Sequence, residues 1–171
     1  MKYLFRMVAM ATLASSAAHA QNPQPDRPVG QVSLIAGPSP YDLSGVGTSF
    51  AVNLGFAWRP LRRVLVVEPS LGYFRYDAQF GSKQTWFFPE LSVQGEARLG
   101  RVSPYVGGGA GQGRVSAAGQ SAWDTTLHGL IGIRVALGGG WGVRTEMRAR
   151  FIGPTGGNTV DFGLGITRRV F

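Results

Sequence analysis

The 171-residue chain predicts an all-β fold, an eight-stranded antiparallel up-and-down transmembrane β-barrel. Three observations predict it. Beyond residue 20, apolar and polar side chains alternate with period two, and no 3.6-residue repeat is found. Clusters of Gly, Pro, Ser and Asp cut this pattern into eight segments, and single-chain bacterial barrels have an even number of strands. Several segments exceed the roughly five or six residues common in soluble sheets and approach the roughly 9 to 11 needed by a tilted strand crossing a bilayer.

Residues 1–20 read as a cleaved secretory signal. Lys2 and Arg6 supply the positive start, Met7 to Ala14 a short apolar stretch, and Ala18-His19-Ala20 a small-x-small cleavage site. The apolar stretch is too short to span a hydrocarbon core as a helix, which takes about 20 residues. Residues 21–28 are Pro-rich and form an extended periplasmic leader, and 29–171 form the barrel. Its strands are expected over 29–37, 48–59, 63–76, 85–98, 102–114, 123–137, 140–152 and 158–171. Tight turns fall at Pro60-Leu61-Arg62, Leu99-Gly100-Arg101 and Gly138-Gly139, and looser connections at 38–47, 77–84, 115–122 and 153–157. Short inner turns alternating with longer outer loops are what a barrel with both termini in the periplasm has. The run Gly107-Gly108-Gly109-Ala110-Gly111 belongs to the fifth strand, where missing side chains permit tight curvature or close approach by bulky lumen neighbours. It is no phosphate loop, since neither a helix nor Gly-Lys-Ser/Thr follows it.

Cysteine is absent, which excludes a disulfide framework, a lipidated cysteine and thiolate chemistry. The formal charge is +8, or +6 without Lys2 and Arg6. The arginines are spread among apolar strands rather than gathered on one patch, so no nucleic-acid partner is expected.

The seventh strand carries the clearest two-faced pattern. Trp141, Val143, Thr145, Met147, Ala149 and Phe151 share one face, and Gly142, Arg144, Glu146, Arg148 and Arg150 the other. A soluble barrel would turn the apolar face inward. In a bilayer a charge on the lipid face near the midplane costs on the order of 2 to 4 kcal/mol, so the charged face must line the lumen. The same parity puts Glu68, Glu90, Glu96, Arg98, His128 and Arg134 inside. It leaves Leu65, Val67, Leu71, Leu91, Val93, Leu127, Ile131, Ile133 and Val135 outside. Glu68, Glu90, Glu96 and Glu146 nearly balance Arg98, Arg134, Arg144, Arg148 and Arg150, as the burial of ions demands. These nine residues are expected to form a salt-bridged plug, because eight strands enclose only enough room for side chains. Trp58, Trp123 and Trp141 fall near strand ends facing outward as interfacial aromatics, while Trp86 points inward and leaves the outward slot to Phe87.

The last segment, 159–171, alternates apolar side chains and ends at Phe171. Together with Pro104-Tyr105-Val106-Gly107-Gly108-Gly109-Ala110-Gly111, it resembles the OmpA/OmpX-like family of small outer-membrane β-barrels. Arg169 departs from the family pattern, standing where an aromatic often precedes the terminal Phe by two residues. The resemblance implies residence in the cell outer membrane of a Gram-negative-type bacterium. It also implies lipid and lipopolysaccharide as surroundings, and Phe171 as the signal read by the outer-membrane assembly machinery.

Members of this fold include adhesins, structural barrels and lipid A-modifying enzymes, so the site must choose. A deacylase of the small-barrel type needs His-x-Ser on one strand with a nearby acid, but His128 is followed by Gly129 and Leu130. A palmitoyltransferase needs polar residues near the outer surface. Asp42, Ser44 and Ser49 offer an acid and serines but no histidine. His19 leaves with the signal, so imidazole-pair metal sites are not expected, nor is any cofactor. His128 is read as a hydrogen-bonding lumen residue. The loops are short and poor in aromatic hot spots, Tyr41 being an exception, which weakens an adhesin role. The expectation is a monomeric, non-enzymatic barrel with a structural or surface-interaction role.

Overall fold

A computed structural model describes residues 29–40, 48–60, 64–77, 83–117, 119–153 and 157–171. The expected signal 1–20 and leader 21–28 lie outside the described residues. The strands are β1 Val29–Pro40, β2 Thr48–Arg59, β3 Leu65–Asp77, β4 Lys83–Glu96, β5 Val102–Ala117, β6 Gln120–Gly138, β7 Trp141–Ile152 and β8 Asn158–Arg169. Each pairs antiparallel with its sequence neighbours, and β8 pairs with β1 to close the barrel. The connections β2–β3, β4–β5 and β6–β7 lie at the end where β1 begins and β8 finishes, here the terminal end. The other four connections mark the loop end.

Burial follows the two-residue alternation. On β7, Arg144, Glu146, Arg148 and Arg150 are buried while Trp141, Met147 and Phe151 are exposed. The outer wall is an apolar belt in which Leu34, Leu54, Leu91, Leu127, Ile131 and Leu164 are all exposed. A continuous belt of this kind far exceeds the patch of a few hundred Å² that a soluble monomer tolerates.

Two sequence expectations are corrected by the ladder. The segment 115–122 is a hairpin rather than a loose loop: Val115, Ser116 and Ala117 pair with Ala122, Ser121 and Gln120, and Gly119 takes the turn at φ 79°. Its small polar residues mark strand that extends past the apolar belt, where side chains can be polar without leaving the sheet. The β6–β7 turn lies at Gly139 and Gly140 after a register shift between Ala136 and Gly138, and the left-handed φ values of Gly138, Gly139 and Gly140 need glycine there. The glycine run lies in the fifth strand, as expected. Tyr105, Gly107, Gly109, Gly111 and Gly113 share its inner face, and a Cβ on Gly107, Gly109 or Gly111 would run into the carbonyl oxygen of Val93, Leu91 or Pro89. Gly107, Gly109 and Gly111 make room chiefly for the backbone of β4, and Gly113 for the Phe88 ring.

The closing seam is paired over only half of its length, from Gln31↔Arg169 to Ala36↔Leu164. The Gly30 N–H and C=O both bond residues of the β8 end, so alternation turns the N–H positions of residues 32, 34, 36, 38 and 40 toward β8. Pro38 and Pro40 have no N–H to give, and the ladder ends before them. Side chains join the seam beyond that point: the Ser39 hydroxyl donates to Asp161, which also binds Arg150.

Candidate functional site

The lumen holds a continuous ion network. Nearest the terminal end, the Glu96 carboxylate accepts from Arg59 at 2.8 Å and Arg134 at 2.7 Å, with Arg98 at 3.3 Å on the rim. Arg134 passes the chain to Glu68 at 3.2 Å, and Glu68 accepts from Arg144 at 2.8 Å. Arg144 also binds Glu146, which pairs with Arg148 at 2.8 Å. Arg148 reaches Glu90 at 2.8 Å, Glu90 meets Arg150 at 2.7 Å, and Arg150 ends the chain on Asp161. Alternating signs let every buried charge face opposite charge, without which desolvation would cost several kcal/mol per ion.

All nine residues expected in the plug lie in this network, with Arg98 at its partly exposed edge. Three members were missed. Arg59 and Asp161 are readable in hindsight, since each sits next to an outward aromatic, Trp58 or Phe162, and must face in. Tyr105 carried no charge signal. Its hydroxyl donates to Glu146 at 2.8 Å and accepts from Arg144 Nε at 2.7 Å, and the Arg134 guanidinium lies 3.9 Å from its ring centroid.

Toward the loop end the lumen turns apolar. Phe74, Trp86 and Phe88 stack with centroids 5.4 to 6.1 Å apart, and Ala51, Ile152 and Val115 pack against them. Trp86 is 3% exposed, so it is core, while Phe87 is on the outer wall with Trp58, Trp123 and Trp141. Phe171 lies on the outer wall too, its ring over Gly30 and 6.4 Å from that of Phe56. Tyr41, Asp42 and Ser44 fall outside the described residues. Ser49, the third candidate of that group, is spent on the Arg75 carbonyl. Among the described residues no group of three or more His, Cys, Asp or Glu side chains is placed to hold a metal ion.

His128 has a serine after all, supplied by another strand. Ser92, Gly109 and His128 lie in one row across β4, β5 and β6. Because Gly109 has no side chain, Ser92 Oγ and His128 Nε2 meet over it at 2.8 Å. Glu90 Oε1 lies 3.4 Å from His128 Nδ1. These are the three groups of a nucleophilic triad, in order. Yet Ser92 and the His128 side chain are both fully buried, and Glu90 is already held by two arginines. A small cavity of about 20 Å³ near the seam, lined by Gly37, Asn53, Arg148 and Asp161 among others, has room for about one water and does not reach Ser92. In the geometry described, neither Ser92 nor the His128 side chain presents exposed surface to an ester carbonyl.

The fold is that of small outer-membrane barrels. Neisserial surface protein A superposes with a TM-score of 0.67 at 12% identity, over 84% of this chain and 97% of that one. The attachment invasion locus protein Ail of Yersinia pestis gives 0.58 at 16%, over 84% and 97%. The outer membrane enzyme PagL gives 0.58 at 14%, over 82% and 99%. No protein-family model and no curated protein sequence matches the chain.

Proposed function

We propose that this chain is a monomeric, non-catalytic barrel of the cell outer membrane, with a structural or surface-interaction role and a lumen closed to solutes. One observation carries the reading: the lumen is filled twice over, by the ion network from Glu96 to Asp161 and by the Phe74, Trp86 and Phe88 stack above it. A pore needs a wetted path, and the burial of the described side chains in both layers argues against one. The apolar belt meets lipid, with lipopolysaccharide on the loop side, and Phe171 serves as the signal for the assembly machinery. The test combines outer-membrane fractionation and a heat-modifiability gel with conductance across a planar bilayer. A folded band that shifts on boiling, with no stepwise current, is expected. Recovery in the soluble fraction, or discrete open channels, refutes the proposal.

The Ser92–His128–Glu90 geometry favours a second reading, a lipid A-modifying hydrolase. Its test is thin-layer analysis of lipid A from cells carrying the chain or its Ser92→Ala variant. Loss of an acyl chain that depends on Ser92 would replace the first reading with this one.

A further inference from the structure

Among the described residues, the terminal end carries exposed arginines and no exposed acidic side chain. Of the acidic side chains described, those nearest the terminal end, Glu68, Glu96 and Glu146, are all buried in the lumen network. Asp124 and Asp161 lie toward the loop end, as does Asp77 in sequence. Three arginines at the terminal end, Arg101, Arg168 and Arg169, are exposed, and none forms an ion pair with another described residue.

They gather around one feature, the glycine turn between β6 and β7. On one flank the Arg101 carbonyl accepts from Ala136 N–H at 2.8 Å. On the other, Arg168 Nη1 donates to the Gly139 carbonyl at 2.6 Å and Arg169 N–H to the Gly140 carbonyl at 2.8 Å. The turn presents no side chain of its own, and three exposed arginines flank it, Arg168 through its guanidinium and Arg101 and Arg169 through their backbone. It adjoins the apolar wall directly. Arg168 sits 4.8 Å over the Trp141 ring, and Leu99, Val102, Leu137 and Trp141 beside the turn are all exposed.

We propose that this arginine collar binds an anionic phospholipid of the leaflet on the terminal side, phosphate among Arg101, Arg168 and Arg169, acyl chains along Leu137, Trp141 and Val102. A lipid rather than a soluble anion is indicated because the cations stand at the margin of the apolar belt. Arg168 is stacked on an aromatic at the height where headgroups begin. The inference rests on the membrane reading above.

Native mass spectrometry of the chain refolded in mixed micelles tests it, with phosphatidylglycerol and phosphatidylcholine of identical acyl chains as probes. Phosphatidylglycerol should be retained in preference. The variant R101Q/R168Q/R169Q should lose that preference, on the order of fivefold per arginine removed. R75Q/R114Q, which removes two exposed arginines near the loop end, should keep it. Equal retention of both lipids by a heat-modifiable wild type, or loss of preference in R75Q/R114Q alone, overturns the collar and leaves the membrane reading intact. Failure of the wild type to fold in any micelle overturns both. Should the triple variant not fold, R101Q and R169Q singly must each lower the preference, and no change in either refutes the proposal.

Discussion

Glu68 is the carboxylate on which the middle of the lumen depends. Both of its oxygens accept from Arg144 Nη1, at 2.9 and 2.8 Å, and one also accepts from Arg134 at 3.2 Å. Glu68→Gln keeps the shape and one acceptor oxygen but removes the charge that faces three buried guanidinium groups, those of Arg144, Arg134 and, at 3.9 Å, Arg148. Breaking one side of a buried ion pair costs about 3 to 5 kcal/mol, because the remaining charge is left uncompensated. The retained amide oxygen still accepts one bond, which places the expected loss near the lower bound, about 3 kcal/mol. That is roughly a hundredfold in the folding equilibrium, a large part of a typical stability of about 5 to 15 kcal/mol. Arg98→Gln is the internal control. Arg98 belongs to the same network, but its side chain is 28% exposed on the rim, where a pair contributes at most about 1 kcal/mol. Urea unfolding in lyso-lipid micelles, followed by tryptophan fluorescence and by gel mobility, measures both. The reasoning fails if the Glu68→Gln midpoint matches the wild type, or if the two variants lose equal stability.

Two further outcomes follow from the backbone. Gly109→Ala should cost about 1 to 3 kcal/mol, since the new methyl would strike the Leu91 carbonyl and the β4 backbone cannot yield cheaply. Gly129→Ala, with nothing within 4 Å, should be neutral or slightly stabilising in the same assay, and equal losses would dismiss the close-approach account of the glycine face. At the seam, hydrogen exchange followed by NMR in micelles should find the Phe162 amide exchanging faster than those of Leu164 and Ile166. Pro38→Ala should slow it by restoring a donor to β1. Uniform protection along β8 would contradict a half-paired seam.

Which face a residue occupies could be read from the chain alone. Strand geometry has period two and a lipid-facing charge is expensive, so Arg144, Glu146, Arg148 and Arg150 had to share one side with Glu68, Glu90 and Arg134, whatever the details of closure. The placement of Trp86 inside and Phe87 outside follows from the same parity. Which lumen side chains meet was decided only by the closed barrel. Arg134 reaches Glu68 across 66 residues of sequence, and Tyr105 reaches Glu146 across 41. Both contacts depend on the register in which each strand slides past the next, and alternation within a strand carries no information about that sliding. Ser92 finds His128 for the same reason, and only because the residue between them in the row is a glycine. Local chemistry can be seen one strand at a time, whereas contacts across a barrel exist only once its circumference has closed.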